Sequence, residues 1–166
     1  SSDLLAVGAA NADPEGKLDA GAAYYYRVET DGSTTYLAKI TAPDGVAGDQ
    51  FGYSVAIAGD LLAVGAQLAD PNGKSMAGAT YLYRIETNGN VTYLDKVIAA
   101  DGDEGDRFGR FVSLSDELLA VGAQNAEVNG NSSAGAVYLY RVEQNGTATY
   151  LEKLIAPDGA IGDQFG

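Results

Sequence analysis

Residues 51–66 read Phe-Gly-Tyr-Ser-Val-Ala-Ile-Ala-Gly-Asp-Leu-Leu-Ala-Val-Gly-Ala, and both halves of this stretch return along the chain with a period of 57 residues. The Phe-Gly pair opens at Phe51, Phe108 and Phe165, and the Leu-Leu-Ala-Val-Gly-Ala string opens at Leu4, Leu61 and Leu118. A fixed period of this length is typical of a stack of one supersecondary unit, in which each copy buries its apolar faces against its neighbours. The fold is therefore decided by one unit.

One unit, residues 51–107, predicts four short strands, because apolar runs are separated by turn residues and no helical spacing persists. The strands are predicted at 53–58, 61–66, 79–85 and 91–99. Gly59-Asp60 and Asn88-Gly89 form tight connections, and the second of these is a strong hairpin signal. The fold class is thus all-β, with antiparallel four-stranded meanders of the kind that form β-propeller blades. The tyrosines of the third strand are predicted to form core between blades, with sugar stacking as the alternative.

Composition excludes several kinds of chemistry. The chain has 10 basic and 23 acidic residues and a net charge of −13, which disfavours nucleic acid and anionic lipid as partners. It has no cysteine and no histidine, so thiol nucleophiles, disulfides and the usual general base near neutral pH are missing. No apolar run approaches the roughly 20 residues of a membrane span, so membrane insertion by this segment is not expected.

The string Phe51-Gly52-Tyr53-Ser54-Val55, followed by residues 61–66, resembles the FG-GAP repeat of integrin alpha subunits and, in style, the FG-GAP repeats of bacterial and algal surface proteins. The resemblance covers the whole chain. It implies a propeller of about seven blades that serves outside the cell in adhesion, in ligand binding or as a rigid module. In integrins the hairpin after the Phe-Gly strand carries a calcium loop, but here Gly59-Asp60 is too short to surround that ion.

The chain is predicted to form one continuous propeller segment in three parts. Residues 1–52 form a blade without its first strand and the start of the next blade, residues 53–109 form a second blade, and residues 110–166 form a third that ends where a further first strand starts. Three blades cannot close a ring, and open sheet edges invite pairing. We therefore expect a piece of a larger propeller, or a protomer that closes by self-association.

The long connections carry most of the acidic charge. Because the strands alternate in direction, the loops after each second strand and before each Phe-Gly strand are predicted to share one face. They hold thirteen acidic and three basic residues. The acidic residues are Asp13, Glu15, Asp19, Asp44, Asp49, Asp70, Asp101, Asp103, Glu104, Asp106, Glu127, Asp158 and Asp163.

Two interpretations of the recurrent aspartates stay open. In the first, their carboxylates accept backbone N–H bonds in turns whose glycines supply positive φ. In the second they bind calcium, best at Asp101, Asp103 and Asp106, and no other cofactor is predicted. A glycosidase needs two carboxyl groups flanking a sugar. These acids recur in every unit, whereas a catalytic site normally breaks a repeat at one place, so no catalytic residue is predicted.

Three Asn-x-Ser/Thr sequons, at Asn90, Asn131 and Asn145, lie in turns or loops where a glycan can attach if the source is a eukaryotic secretory pathway. The sequence thus predicts a non-enzymatic extracellular or cell-surface glycoprotein module for adhesion or structural assembly. Its partner is predicted to be another protein or a glycan at the cell surface, or a further copy of the chain. The alternative is a calcium- or carbohydrate-binding, lectin-like propeller domain.

Overall fold

A computed structural model describes residues 3–86 and 88–166; residues 1 and 2 of the predicted first blade, and Thr87, lie outside the described residues. Eleven strands form three antiparallel sheets, which confirms the all-β prediction. Sheet 1 contains β1 (Asp3–Ala9), β2 (Ala22–Val28) and β3 (Thr34–Ile40). Sheet 2 contains β4 (Phe51–Ala58), β5 (Leu61–Ala66), β6 (Ala79–Ile85) and β7 (Val91–Val97). Sheet 3 contains β8 (Phe108–Ser115), β9 (Leu118–Ala123), β10 (Ala136–Val142) and β11 (Ala148–Leu154).

Each sheet is a meander in which sequential strands are neighbours. The second and third strands of sheet 2 have the predicted bounds, but the prediction that the first strand begins at residue 53 was wrong. Phe51 already pairs with Ala66, and the register then shifts before Ser54 pairs with Gly65. The extra residues form a bulge in which Gly52 has φ of 86°. The fourth strand ends at Val97 instead of at residue 99.

The sheets pack face to face, and their core lies between them. Successive side chains of a strand point to opposite faces, so Tyr81 and Tyr83 of β6 pack towards sheet 1 while Leu82 packs towards sheet 3. Tyr81, Leu82 and Tyr83 are all buried. The prediction that the tyrosines of the third strand form the core between sheets is confirmed for Tyr25, Tyr81, Tyr83, Tyr138 and Tyr140, whereas Tyr24 and Tyr26 are only partly buried.

The second strand of each sheet lies very close to the first strand of the next. A Cβ atom added to Gly65 of β5 would lie 1.9 Å from the carbonyl oxygen of Gly109 in β8. Gly8 faces Gly52 in the same way, at 1.9 Å, so glycine at this position is what permits the close approach of neighbouring sheets. Among the described residues, no helix has the length and hydropathy of a membrane span.

Candidate functional site

Two series of long loops form one surface, which we call the loop face. Loops A follow each second strand, at residues 10–21, 67–78 and 124–135, and loops B precede each Phe-Gly strand, at residues 41–50, 98–107 and 155–164. In the middle repeat the backbone nitrogens of Gly105 and Arg107 donate to the carbonyl oxygens of Ser75 and Met76, at 2.9 and 3.1 Å. The other repeats have equivalent bonds. The expectation that both loop series share a face is confirmed.

The loops contain backbone conformations that the residue types did not predict. Three positions in each repeat hold non-glycine residues at positive φ, a conformation that L residues rarely adopt. In loop A, the backbone nitrogen of Met76 donates to Asp70 Oδ1 at 2.7 Å, and that bond holds the strained turn. Because the strain recurs in every repeat, it belongs to the fold and does not mark one catalytic point. The positions are Glu15, Asn72 and Asn129; Asp19, Met76 and Ser133; and Gln50, Arg107 and Gln164.

The last aspartate of each loop B closes a turn. Asp106 Oδ2 accepts the backbone N–H of Asp103 at 2.9 Å, and Asp49 and Asp163 make the same contact in their own repeats. Asp106 is only 8% exposed. Its burial raises the pKa of the Asp106 carboxyl, although the backbone hydrogen bond from Asp103 acts in the opposite direction. This is the predicted turn chemistry.

The first aspartate of the first two loops B, Asp44 and Asp101, reaches the next sheet. Asp101 Oδ1 accepts a hydrogen bond from the Tyr138 hydroxyl at 2.9 Å, and Asp101 Oδ2 accepts one from Lys153 Nζ at 2.7 Å. The preceding repeat makes the same set of contacts, with an aspartate on loop B and a tyrosine and a lysine on sheet 2. We call this arrangement the Asp-Tyr-Lys joint; its members are Asp44, Tyr81 and Lys96 between sheets 1 and 2, and Asp101, Tyr138 and Lys153 between sheets 2 and 3.

The joint fixes the protonation of its members. Burial alone would raise the pKa of Asp101, but the hydrogen bonds from Lys153 and Tyr138 outweigh it and lower that pKa. Burial, and then the bond to Asp101, raise the pKa of Tyr138. The carboxylate therefore stays ionised and the phenol neutral, which suits a permanent structural contact more than proton transfer.

The same repeat is found in a known protein family. The chain matches the FG-GAP repeat over residues 34–83 and 92–140, more than half of its length. This chain belongs to the FG-GAP repeat family. The match confirms the resemblance seen in the Phe-Gly and Gly-Ala strings. No curated protein matches the sequence.

Among solved structures, the chain is similar to the periplasmic gluconolactonase PpgL of Pseudomonas aeruginosa, with a TM-score of 0.51 and 19% sequence identity. The similarity covers 92% of this chain and 38% of that chain, so this FG-GAP chain spans much less than two thirds of the lactonase. At this identity the similarity concerns the fold alone.

The three residues proposed for calcium are already engaged by the FG-GAP chain's own groups. Asp101 belongs to the joint, Asp103 Oδ1 lies 3.0 Å from Lys74 Nζ, and Asp106 accepts the backbone N–H of Asp103. Within residues 3–86 and 88–166 no group of three or more acidic side chains is arranged to hold a metal ion. Calcium binding stays a prediction, and these contacts favour the alternative of turn chemistry.

A third side chain links the loops of each FG-GAP repeat. Lys17 Nζ donates to the Gly45 carbonyl oxygen at 2.7 Å, and Lys74 Nζ donates to that of Gly102 at 2.5 Å. Each lysine lines a shallow cleft between loop A and loop B. The third repeat has Asn131 at this position.

The asparagines of the three sequons differ in how accessible they are to a glycan. Asn131 Nδ2, the atom to which a glycan attaches, donates to the Gly159 carbonyl oxygen at 3.1 Å, so a glycan would crowd this contact. Asn90 and Asn145 are exposed beside hairpin turns. Asn145 Oδ1 accepts the backbone N–H of Thr147 at 3.0 Å, which leaves Nδ2 towards solvent. Use of the three sequons stays a prediction.

An arginine breaks the repeat at the start of β8, where Arg110 replaces Tyr53 of β4. Its guanidinium carbon lies 5.0 Å from the ring centre of Tyr53 and 6.0 Å from that of Phe111. Arg110 Nη1 donates to Gln67 Oε1 at 2.7 Å, and Gln67 in turn donates to Gln50. The cluster was not predicted from the sequence, although the sequence does show that arginine replaces tyrosine at the equivalent position one period later.

Proposed function

We propose that this chain is a segment of a β-propeller in a larger extracellular or cell-surface protein, with each sheet as one blade. Three similar sheets stack face to face, and their glycine-bearing second strands approach the next sheet closely, as blades around an axis do. The similarity to a solved structure over 92% of the chain supports a shared fold. About seven blades remain the expectation for the whole protein.

The function that this architecture supports best is a non-enzymatic module for adhesion or structural assembly, with contacts through the loop face. The observation that carries it is the combination of charge and rigidity on that face. Of its thirteen acidic residues, only Asp49 and Asp106 are buried, and loops A and B are bonded to each other through backbone and lysine contacts. A rigid surface of one sign of charge binds with little loss of conformational entropy and attracts a partner of the opposite sign.

The partner expected on these grounds is a protein or glycan at a cell surface that presents basic groups. A basic partner matches the charge of the loop face, whereas an anionic one is repelled. Carboxylates on this face close a turn in every repeat and form a joint in two of them, so none is singled out as an acid or base. This pattern supports a binding role over catalysis.

A binding experiment with matched variants tests the proposal. The chain is presented to arrays of surface proteins and of glycans, and Glu15→Gln/Glu104→Gln/Glu127→Gln is compared with the wild type. These three glutamates are exposed on the loop face. We expect the triple variant to bind at least tenfold more weakly, because three charges that steer and hold a basic partner are lost.

The control variant removes three glutamates from the face of the tight turns, at Glu86, Glu117 and Glu143, and is expected to bind as the wild type does. Equal losses in both variants would show that total charge, not the loop face, determines binding. Absence of any ligand on either array would contradict the adhesion proposal. Hydrolysis of glucono-lactone by the chain above the buffer rate would overturn its non-enzymatic part.

A further inference from the structure

Four asparagines of the chain are followed by glycine, and one of these pairs differs from the others in its backbone hydrogen bonds. The backbone nitrogens of Gly73, Gly89 and Gly146 each donate to the carbonyl oxygen three residues earlier, at 3.3, 2.8 and 2.8 Å. The backbone nitrogen of Gly130 donates to no acceptor within the part of the chain that the structure describes. The four asparagines are Asn72, Asn88, Asn129 and Asn145, and all of them are exposed.

The turn that contains Gly130 is closed around its central peptide bond. Val128 and Asn131 exchange two backbone hydrogen bonds, at 3.2 and 2.9 Å. Between them, Asn129 and Gly130 have φ of 54° and 79°, both positive as in a type I′ turn. The peptide that joins these two residues can rotate without breaking either hydrogen bond. In the type II′ turn that results, ψ of the first central residue is about −120°, which turns the Gly130 nitrogen towards Cγ of Asn129.

A break in the repeat accompanies this turn. The equivalent loop of the middle repeat has Pro71 where the third repeat has Val128. Proline has no N–H and cannot make the second of the paired hydrogen bonds, and in that loop the Gly73 nitrogen donates to the Asp70 carbonyl oxygen. Asn72 therefore has the same position in the repeat and the same following residue, but the N–H of its glycine is engaged. Because Asn72 lies in the middle repeat and is also exposed, exposure at this position belongs to the loop face itself.

We propose that Asn129 is a site of spontaneous deamidation on the loop face. The Gly130 nitrogen attacks Cγ of Asn129 and gives up its proton, the new N–C bond closes a five-membered imide, and the side-chain nitrogen leaves with that proton as ammonia. Water then opens the imide at either carbonyl carbon. Opening at the main-chain carbon gives isoaspartate, and opening at Cγ gives aspartate. Water is the one co-reactant, and asparagine is among the thermolabile residues of proteins.

Either product changes the loop face. Both replace a neutral amide by a carboxylate, so loop A of the third repeat gains negative charge. Isoaspartate also carries the main chain through Cβ, which lengthens the turn by one backbone atom and disrupts the paired hydrogen bonds of Val128 and Asn131. Asn131 Nδ2 links this loop to loop B through the Gly159 carbonyl oxygen, at 3.1 Å. The modification therefore loosens the two loops of the third repeat, whether or not the loop face binds a partner.

Peptide mapping by mass spectrometry tests the proposal. The folded chain is incubated in mildly alkaline buffer, the deamidated fraction at each asparagine is followed with time, and an isoaspartyl methyltransferase detects isoaspartate. Asn129 should deamidate about threefold faster than Asn72, because the glycine after Asn72 must first lose one long hydrogen bond. It should react at least tenfold faster than Asn88 and Asn145, whose side-chain oxygens also accept the backbone N–H two residues later, at 2.9 and 3.0 Å. A rate at Asn129 no greater than that at Asn72 overturns the proposal.

Two comparisons separate the effect of the turn from that of the local sequence. In concentrated urea all four pairs lose their hydrogen bonds, so their rates should become similar. Val128→Pro should slow deamidation of Asn129 to the rate of Asn72, and Pro71→Val should raise the rate at Asn72 to that of Asn129. Far-UV circular dichroism checks that each variant is folded. A preference for Asn129 that persists in urea, or folded variants that keep the wild-type rates at both asparagines, also overturns the proposal.

Discussion

The repeated phenylalanine offers a test of what holds the sheets together. Phe108 is fully buried between sheets 2 and 3 and packs edge-on against Tyr138 and Tyr140. Removing such a ring costs about 3 to 5 kcal/mol, because transfer energy is lost and a cavity is left. A domain of this size has a free energy of unfolding of about 5 to 15 kcal/mol, so Phe108→Ala should remove a large part of it.

The same substitution at other positions supplies its controls. Phe165 is 38% exposed, so Phe165→Ala should lower the free energy of unfolding by only about 1 to 2 kcal/mol. Phe111 lies on the same strand as Phe108 but is 56% exposed, and Phe111→Ala should cost about 1 kcal/mol. Urea unfolding followed by circular dichroism at one low protein concentration measures all three. If Phe108→Ala costs no more than Phe111→Ala, the buried ring of Phe108 does not hold sheets 2 and 3 together.

Three further predictions concern the joint, the loop turn and the close strands. Asp101→Asn should be less stable than the wild type at neutral pH by about 0.5 to 1 kcal/mol, a value reduced for solvent screening of this exposed pair with Lys153. Because the folded-state pKa of Asp101 is lowered, the ionised carboxylate stabilises the fold above the unfolded pKa of about 3.9, and this stabilisation is lost as pH falls through the folded pKa. In urea unfolding, the free energies of unfolding of Asp101→Asn and the wild type should therefore become equal on acidification. Asp106→Asn should show the opposite dependence on pH. Burial raises the folded-state pKa of Asp106, so protonation of this carboxyl contributes its whole stabilisation below the unfolded pKa of about 3.9, and that stabilisation is lost as pH rises through the folded pKa. In the same pH series, this variant should therefore gain stability over the wild type towards neutral pH, and a loss there would contradict the burial argument. Gly65→Ala would place a Cβ atom 1.9 Å from the backbone oxygen of Gly109, so it should lower stability by about 3 kcal/mol in a thermal melt, and an unchanged melt would contradict the close approach.

Much of the fold follows from the sequence because local signals and the period agree. The bounds of β5 and β6 are predicted to the residue, since apolar runs end at clear turn residues. The start of β4 is not predicted correctly, because Gly52 lies at positive φ in a bulge and interrupts the alternation of side chains on which strand prediction depends. A glycine in such a bulge has the same sequence signature as a glycine in a turn.

The candidate site also has one part that the sequence predicts and one part that it does not. The turn contact of Asp106 is local, three residues apart, and is predicted from residue type. The contacts of Asp101 with Tyr138 and Lys153 join residues 37 and 52 positions apart, and they depend on how one sheet is offset against the next. All three residues recur at the period, but recurrence alone does not say which members of different repeats meet.

The joint and the phenylalanine make each sheet dependent on its neighbours. A sheet inside the stack gives an aspartate to a tyrosine and a lysine of the sheet that follows, and the phenylalanine of its own first strand is buried in the core that it shares with the sheet before. Stability in such a stack is close to a sum of intrinsic terms and nearest-neighbour terms. Sheet 2 contributes to a core on each of its faces, so its stability depends on both of its neighbours. A substitution in one joint therefore weakens the packing of the two sheets that form it.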